Sequence, residues 1–256
     1  MYWVVYKNMI SETGMRQNRS DAKVGAGQAV ILAAGRGTRM GELTSTLPKP
    51  LLEVSGKTLL EHKFDVLPEK IDEIVLVVGY LGGMIKERFG NIYKRKKITY
   101  AEQGPAYGTA GALWSVREFL RDKFIVMMGD DLYGKKDIER ACKSNSWMMF
   151  ATELPRVRGG KIIAEHGTVK DIIESDEHGT GGLVSTNLFS LDVRLFEYEM
   201  VPKRAGSQEY GLPQTVLAAS RASGIPLEVA ETRAWIQIST PEDLQNAQKT
   251  TADLAE

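Results

Sequence analysis

Ala29-Val-Ile-Leu-Ala33, an unbroken apolar run, leads directly into Ala34-Gly-Arg-Gly-Thr-Arg-Met40 and then Leu47-Pro-Lys-Pro-Leu51. A short run without polar alternation reads as a strand buried on both faces, as in a parallel sheet covered by helices. Glu73–Val78 and Phe124–Met128 repeat the pattern, and Ile98–Ala101 is a further strand. Between them the spacing predicts helices over Thr58–Leu67, Leu81–Phe89 and Thr109–Leu120. Strands alternating with helices at this pace predict an α/β fold with a mixed, mainly parallel sheet and right-handed connections.

The second half changes character. Trp147–Glu153, Ile162–Ala164, Val169–Glu174 and Leu183–Leu191 are strand-like runs separated by glycine-rich turns at Arg158–Gly160 and Gly179–Gly182. Without intervening helices they predict a partly antiparallel meander. A helix is expected over Gln208–Ser223 and a short strand over Trp235–Ile238. A closing helix over Pro241–Ala252 has Thr240 as its cap. No repeat or linker interrupts the chain, so residues 27–256 read as one domain. Residues 1–26, polar and aperiodic from Asn8 onward, read as a flexible extension or as an upstream start with Met15 the true one.

Bulk composition narrows the function. Lys plus Arg number 33 and Asp plus Glu 33, a balance that argues against nucleic acid as the main partner. The one cysteine, Cys142, excludes a disulfide within the chain and a four-thiolate zinc site. No run approaches the length of a membrane-spanning helix, and the start does not read as a signal peptide, so a cytoplasmic protein is expected. The three histidines are scattered, and His62 reads as capping or packing a helix. Lys94–Lys97 reads as a solvated turn, and Trp147 and Trp235 as core.

The loop after the first strand has the chemistry of a triphosphate site. Glycines let the backbone turn sharply and approach a ligand, and successive N–H groups form an anion-holding concavity. Arg36, Arg39 and Lys49 add positive charge along it. It is not G-x-x-x-x-G-K-[ST], and Met40 stands where the dinucleotide fingerprint has its third small residue. Glu102-Gln103-Gly-Pro-Ala-Tyr-Gly108-Thr109 follows another strand, with small residues against which a flat base can lie. Val126-Met-Met-Gly-Asp-Asp131 sets carboxylates at a strand end. Magnesium prefers one or two such groups together with phosphate oxygens.

Ala33–Met40, Leu47–Leu51, Gly56 and Leu60-Glu-His62 together resemble the signature of the sugar-1-phosphate nucleotidyltransferases, of the glucose-1-phosphate thymidylyltransferase and mannose-1-phosphate guanylyltransferase type. The resemblance runs from about Gln28 to about Ala247. It implies a Rossmann-like three-layer α/β/α domain of the nucleotide-diphospho-sugar transferase type. The implied reaction is magnesium-dependent transfer of a nucleotidyl group to a phosphosugar with release of pyrophosphate. Carried onto this chain, Leu32, Ala33, Ala34, Gly35, Gly37, Thr38 and Arg39 form the triphosphate site. Arg39 holds the leaving pyrophosphate, and Lys49 sits on the α-phosphate and the incoming phosphate. Gln103, Gly108 and Thr109 hold the base. An amide that both donates and accepts leans toward uridine or thymidine triphosphate, with CTP and GTP open. Asp130 is the implied metal ligand and Asp131 a supporting residue or cap. Gly167 and Glu174 are the implied sugar residues.

Four positions depart from the family pattern. Gln237 stands where the closing Trp-x-Asp stretch commonly has its Asp, and it remains a candidate magnesium ligand through a neutral oxygen. Ser175 replaces the lysine that follows the glutamate, and Ser185 and Asn187 stand at the usual Asn and Gly positions. An unusual acceptor, such as a phosphorylated sugar alcohol, or slow turnover follows from these. A catalytically weak nucleotide-binding regulator and a dinucleotide-dependent redox enzyme are the competing readings. With the chain ending soon after its closing helix, no appended module is expected, and any homo-oligomer would use the domain itself.

Overall fold

The computed structural model describes residues 26–104, 107–157, 159–175 and 181–250; of the extension expected over 1–26, residues 1–25 lie outside them. The first half contains β1 (Gln28–Ala33), β2 (Glu53–Val54), β3 (Lys57–Thr58), α1 (Leu59–Val66), β4 (Glu73–Val78) and α2 (Gly82–Phe89). It continues through β5 (Ile92–Tyr93), β6 (Lys96–Glu102), α3 (Gly108–Trp114), β7 (Lys123–Met128), β8 (Leu132–Tyr133) and α4 (Lys135–Lys143). The second half contains β9 (Trp147–Leu154), β10 (Gly159–Glu165), β11 (Thr168–Ser175), β12 (Gly182–Asp192), α5 (Leu212–Ser223), β13 (Leu227–Glu231), β14 (Trp235–Ile236) and α6 (Pro241–Thr250).

Ten strands form one sheet in the order β10-β11-β13-β9-β12-β7-β1-β4-β6-β5. β7, β1, β4 and β6 run parallel in register. β12 then pairs antiparallel with both β7 and β9, and the far side is antiparallel except where β13 runs along β9. The sheet is mixed as expected, but parallel pairing prevails in its amino-terminal half alone. Alternate side chains of the central strands serve two layers. Ile31, Ile74, Leu76 and Met127 pack with Phe64 of α1, Ile85 of α2 and Ile138 of α4. Val30, Leu32, Val75 and Val126 pack with Leu113 of α3 and Val216 of α5. Each such buried aliphatic side chain contributes about 1.5–3 kcal/mol, which is why these strands carry no polar face. No described helix is long and apolar enough to cross a membrane.

Local chemistry sets the helix ends. Thr58 and Glu61 form a reciprocal capping box on α1, and His62 Nε2 lies 2.8 Å from the Val54 carbonyl. Thr240 and Asp243 cap α6 in the same reciprocal way. α3 stops at Trp114 rather than Leu120, because Ser115 Oγ donates back to the Ala112 carbonyl and Val116 leaves helical geometry. α5 starts at Leu212 rather than Gln208. Tyr210 spends its backbone on Tyr107 and Ala110, and Pro213 fits the opening turn. Ala26, which the sequence reading assigns to the extension, is buried and donates its N–H to the Cys142 carbonyl.

Candidate active site

The carboxyl ends of β1, β4 and β7 converge. Gly129 donates its N–H to the Leu32 carbonyl at 2.8 Å, and a Cβ on Gly129 would stand 2.8 Å from the Ala33 Cα. On the other side a Cβ on Gly79 would stand 2.6 Å from the Ala34 carbonyl oxygen. Leu32 and Ala33 are thus buried and clasped between two glycines, and Ala34 begins the loop. Gly37 turns with φ 64, and Lys49 packs where its Cβ would lie. Met40 is buried, pinning the loop, whereas Gly35, Thr38 and Arg39 are exposed. Arg36 lies over the Tyr80 ring at 5.1 Å.

Behind this loop is a buried charge cluster. Lys49, only 6% exposed, donates to Asp130 Oδ2 at 2.6 Å and also to the Ile238 carbonyl. Its ammonium is therefore engaged by the carboxylate, and Lys49 is not among the residues lining the cavity in front of it. Burial favours a paired ammonium over a free one. Asp131 is buried and accepts from Trp235 Nε1 at 3.1 Å. It caps no helix, since α4 starts after Gly134. Burial and the neighbouring Asp130 charge push its carboxyl up, and Lys63 and Lys49 counter this. Burial likewise pushes Lys63 down, against the pull of Asp130 and Asp131. Lys63 is 1% exposed and donates to its own helix at the Leu59 carbonyl.

A cavity of about 380 Å³ opens in front of this cluster. It brings together Arg39, Gly108, Thr109, Asp130, Glu174 and Gln237 of the expected residues. Leu32, Ala33, Ala34, Gly35, Gly37, Thr38, Lys49 and Gln103 are not among the residues that line it. Gly108, at φ 89, has the Tyr210 backbone where a Cβ would be, and Thr109 Oγ1 accepts from the Leu212 N–H at 2.8 Å. Both therefore hold the 209–212 segment beside the start of α3. Gln103 donates its backbone N–H to the Val78 carbonyl.

Gly167 is a correction. It sits with φ 76 at the turn joining β10 to β11, where Val229 donates to its carbonyl. That turn is about 20 Å along the hairpin from Glu174 at roughly 3.4 Å per residue. The glycine beside Glu174 is Gly160, paired with it across the hairpin; a Cβ there would stand 2.8 Å from Glu174 Oε1. Gln214 Nε2 donates to the same oxygen at 2.7 Å. The side chain of Ser175 lies outside the described parts.

Sequence reasoning missed Lys63, Gly160, Lys203 and Gln214, and it placed Trp235 in the core rather than on the cavity wall. A lysine among the apolar positions of α1 was the one readable signal. The others depend on which strands meet across the sheet.

The metal donors fit magnesium in one way. No cluster of three His, Cys, Asp or Glu exists among the described residues. Asp130 is 30% exposed and Gln237 faces the same cavity, so one carboxylate and one amide oxygen are available beside a site for phosphate oxygens. Hard oxygen donors in that number suit magnesium held jointly with a substrate.

The chain is 29% identical over 232 residues to the UTP–glucose-1-phosphate uridylyltransferase AglF of Haloferax volcanii, covering 87% of this chain and 95% of that protein. It is 26% identical over 229 residues to the bifunctional protein GlmU of Methanocaldococcus jannaschii, covering 86% of this chain and 53% of that protein. The chain thus spans about half the length of such bifunctional relatives. The fold matches that of the inositol-1-phosphate CTP transferase from T. maritima with a TM-score of 0.69 at 17% identity, covering 91% and 98% of the two chains. The nucleotidyl transferase family model matches residues 28–253, and the chain belongs to that family of enzymes.

Proposed function

We propose that the chain transfers the nucleotidyl group of a nucleoside triphosphate to a phosphosugar or related phosphate, in a Rossmann-like domain over residues 27–256. The observation that carries this is the convergence of Arg39, Asp130, Gln237 and Glu174 on one cavity beyond the ends of parallel strands, where open α/β sheets hold ligands. The backbone at Gly35–Thr38 cradles the triphosphate and Arg39 holds its β- and γ-phosphates. An acceptor phosphate oxygen attacks the α-phosphorus, and the bond to the bridging oxygen of the β-phosphate breaks. That acceptor is already an anion, so no general base is needed, and catalysis is positioning and charge neutralisation.

Asp130 and Gln237 are the residues that would hold magnesium, which when bound neutralises phosphate oxygens. Lys49 fixes the Asp130 carboxylate and, through Ile238, the segment bearing Gln237. Gln103 and Gly108 border the base site. The uracil preference of the sequence reading accords with the uridylyltransferase similarity. The test is pyrophosphate release from each of five nucleoside triphosphates paired with sugar-1-phosphates and polyol phosphates, with Asp130→Asn as control. Release from one pair, lost in the variant, is expected. Gln237 carries no charge, and triphosphate binding without release from any pair would make the chain a nucleotide-binding regulator instead.

A further inference from the structure

Tyr80, on the turn after β4, does not line the cavity. It nevertheless meets the loop from Ala34 to Ser45 at three places. Its backbone N–H donates to the Ala34 carbonyl at 3.2 Å, where the loop leaves β1. Its ring faces the Arg36 guanidinium, 5.1 Å from the centroid. Its hydroxyl donates to the Ser45 carbonyl at 2.9 Å, at the far end of the loop. The β4 turn can reach this far because Gly79 lies against Ala34, with a Cβ there standing 2.6 Å from the Ala34 carbonyl oxygen.

The middle of the loop is held from within. Thr44 Oγ1 donates to the Gly37 carbonyl at 3.0 Å, and the Met40 N–H donates to the same oxygen at 2.9 Å. Gly35 and Arg36 precede that inner turn and are exposed, as are Thr38 and Arg39. Gly37 and Gly41 take φ 64 and 60, and glycine backbone has the most conformational freedom to lose on ordering. A ligand that must first order its loop binds more weakly, in proportion to the fraction of molecules already in the competent shape. Contacts that hold this shape beforehand raise affinity without touching the ligand.

A cation over an aromatic face is attracted by the ring quadrupole even at an exposed site. Stacked on Tyr80, Arg36 is drawn toward the β4 turn, which leaves the amides at Gly35–Thr38 open. We propose that Tyr80 is a positioning residue for nucleotidyl transfer, which straps the loop at Ala34, Arg36 and Ser45 so that the loop amides and Arg39 are set for the triphosphate before it arrives. This rests on the nucleotidyl-transfer reading for the identity of the ligand.

The test compares the full chain with Tyr80→Phe, Tyr80→Leu, Arg36→Gln and the Tyr80→Leu/Arg36→Gln double variant. Without ligand, amide hydrogen exchange over residues 35–45 should be about tenfold faster in Tyr80→Leu, the worth of one ring contact and one hydrogen bond, with β1 and β4 exchanging as in wild type. Calorimetric titration in magnesium with each of ATP, CTP, GTP, UTP and dTTP reads affinity. Tyr80→Leu should weaken the tightest binder about tenfold, and Tyr80→Phe, which keeps the stack, about threefold. Arg36→Gln should cost about threefold alone and nothing further in Tyr80→Leu, where the stack is already gone. A purely structural role for Tyr80 predicts faster exchange in β1 and β4 and a lower thermal midpoint, with triphosphate affinity unmoved. Unchanged loop exchange or unchanged triphosphate affinity in Tyr80→Leu would overturn the proposal and leave the transfer reading standing. So would an equal loss from Arg36→Gln in both backgrounds, which puts Arg36 on the phosphates instead. If the wild type binds none of the five triphosphates, the transfer reading falls and takes this inference with it.

Discussion

Between Ala33 and Gly129 two backbones approach so closely that a Cβ on the glycine would stand 2.8 Å from the Ala33 Cα, whereas on the opposite wall Glu174 and Gln214 meet only through side chains. The wall proposed to hold the triphosphate is built from parallel strand ends whose spacing tolerates no added atom. The wall proposed to hold the acceptor is built from an antiparallel hairpin, a bulge and one helix turn, with adjustable side chains between them. On this proposal, backbone construction fixes a position for groups common to every nucleoside triphosphate. Side-chain construction leaves the acceptor pocket free to differ while the sheet stays as it is.

Four substitutions can break or sharpen that contrast. Asp130→Asn should lower pyrophosphate release about a thousandfold, the scale of losing a principal charge-stabilising contact. A magnesium titration of initial rates checks it, and saturation at wild-type rates would remove Asp130 from the chemistry. Lys49→Met should lower kcat/KM about a hundredfold, since it frees both Asp130 and Ile238 and small misplacements of reacting groups cost on this order. Gly129→Ala should destabilise by about 1–3 kcal/mol in urea unfolding, because backbone must move. Gly160→Ala meets the side-chain end of Glu174 rather than backbone, so it should leave the unfolding midpoint nearly unchanged while raising acceptor KM. Equal destabilisation by the two alanines would erase the distinction between the walls.

The smallest expected effect lies at the far end of β4. Burial alone would raise the Glu73 carboxyl, but hydrogen bonds from Thr99, Lys97 and Gln28 outweigh it and hold the group below its ordinary 4.5. A lowered folded value means stabilisation that is complete above pH 4.5 and fades as pH falls through the folded value. Glu73→Gln should therefore cost about 1–2 kcal/mol near neutrality and flatten the acid limb of the stability profile, with kinetics unchanged. An unaltered acid limb would show that Glu73 contributes nothing there.

The contrast also explains what was legible in the sequence. β1, β4 and β7 are short apolar runs ending in glycine-bearing loops, and local pattern suffices to place both the strands and the loop at Gly35–Arg39. β13 escaped because Leu227–Glu231 is short and mixes charge into its apolar run, and its partners β9 and β11 are distant in sequence. The family resemblance pointed to Gly167, but the antiparallel hairpin pairs Gly160 with Glu174 instead. Gln214, Lys203 and Lys63 became relevant only once α5, the preceding loop and α1 were packed against the sheet. Parallel crossovers bring motifs to one edge predictably, while bulge and hairpin register depend on contacts no local spacing encodes.

The most direct measurement of the two-wall account is a kinetic split using Arg39→Ala and Glu174→Gln in the full chain, with the triphosphate and acceptor each varied at saturation of the other. Arg39→Ala is expected to raise the triphosphate KM with the acceptor KM unchanged, and Glu174→Gln the reverse. If both variants raise both constants together, or each raises the other's, the cavity is not divided between a triphosphate wall and an acceptor wall.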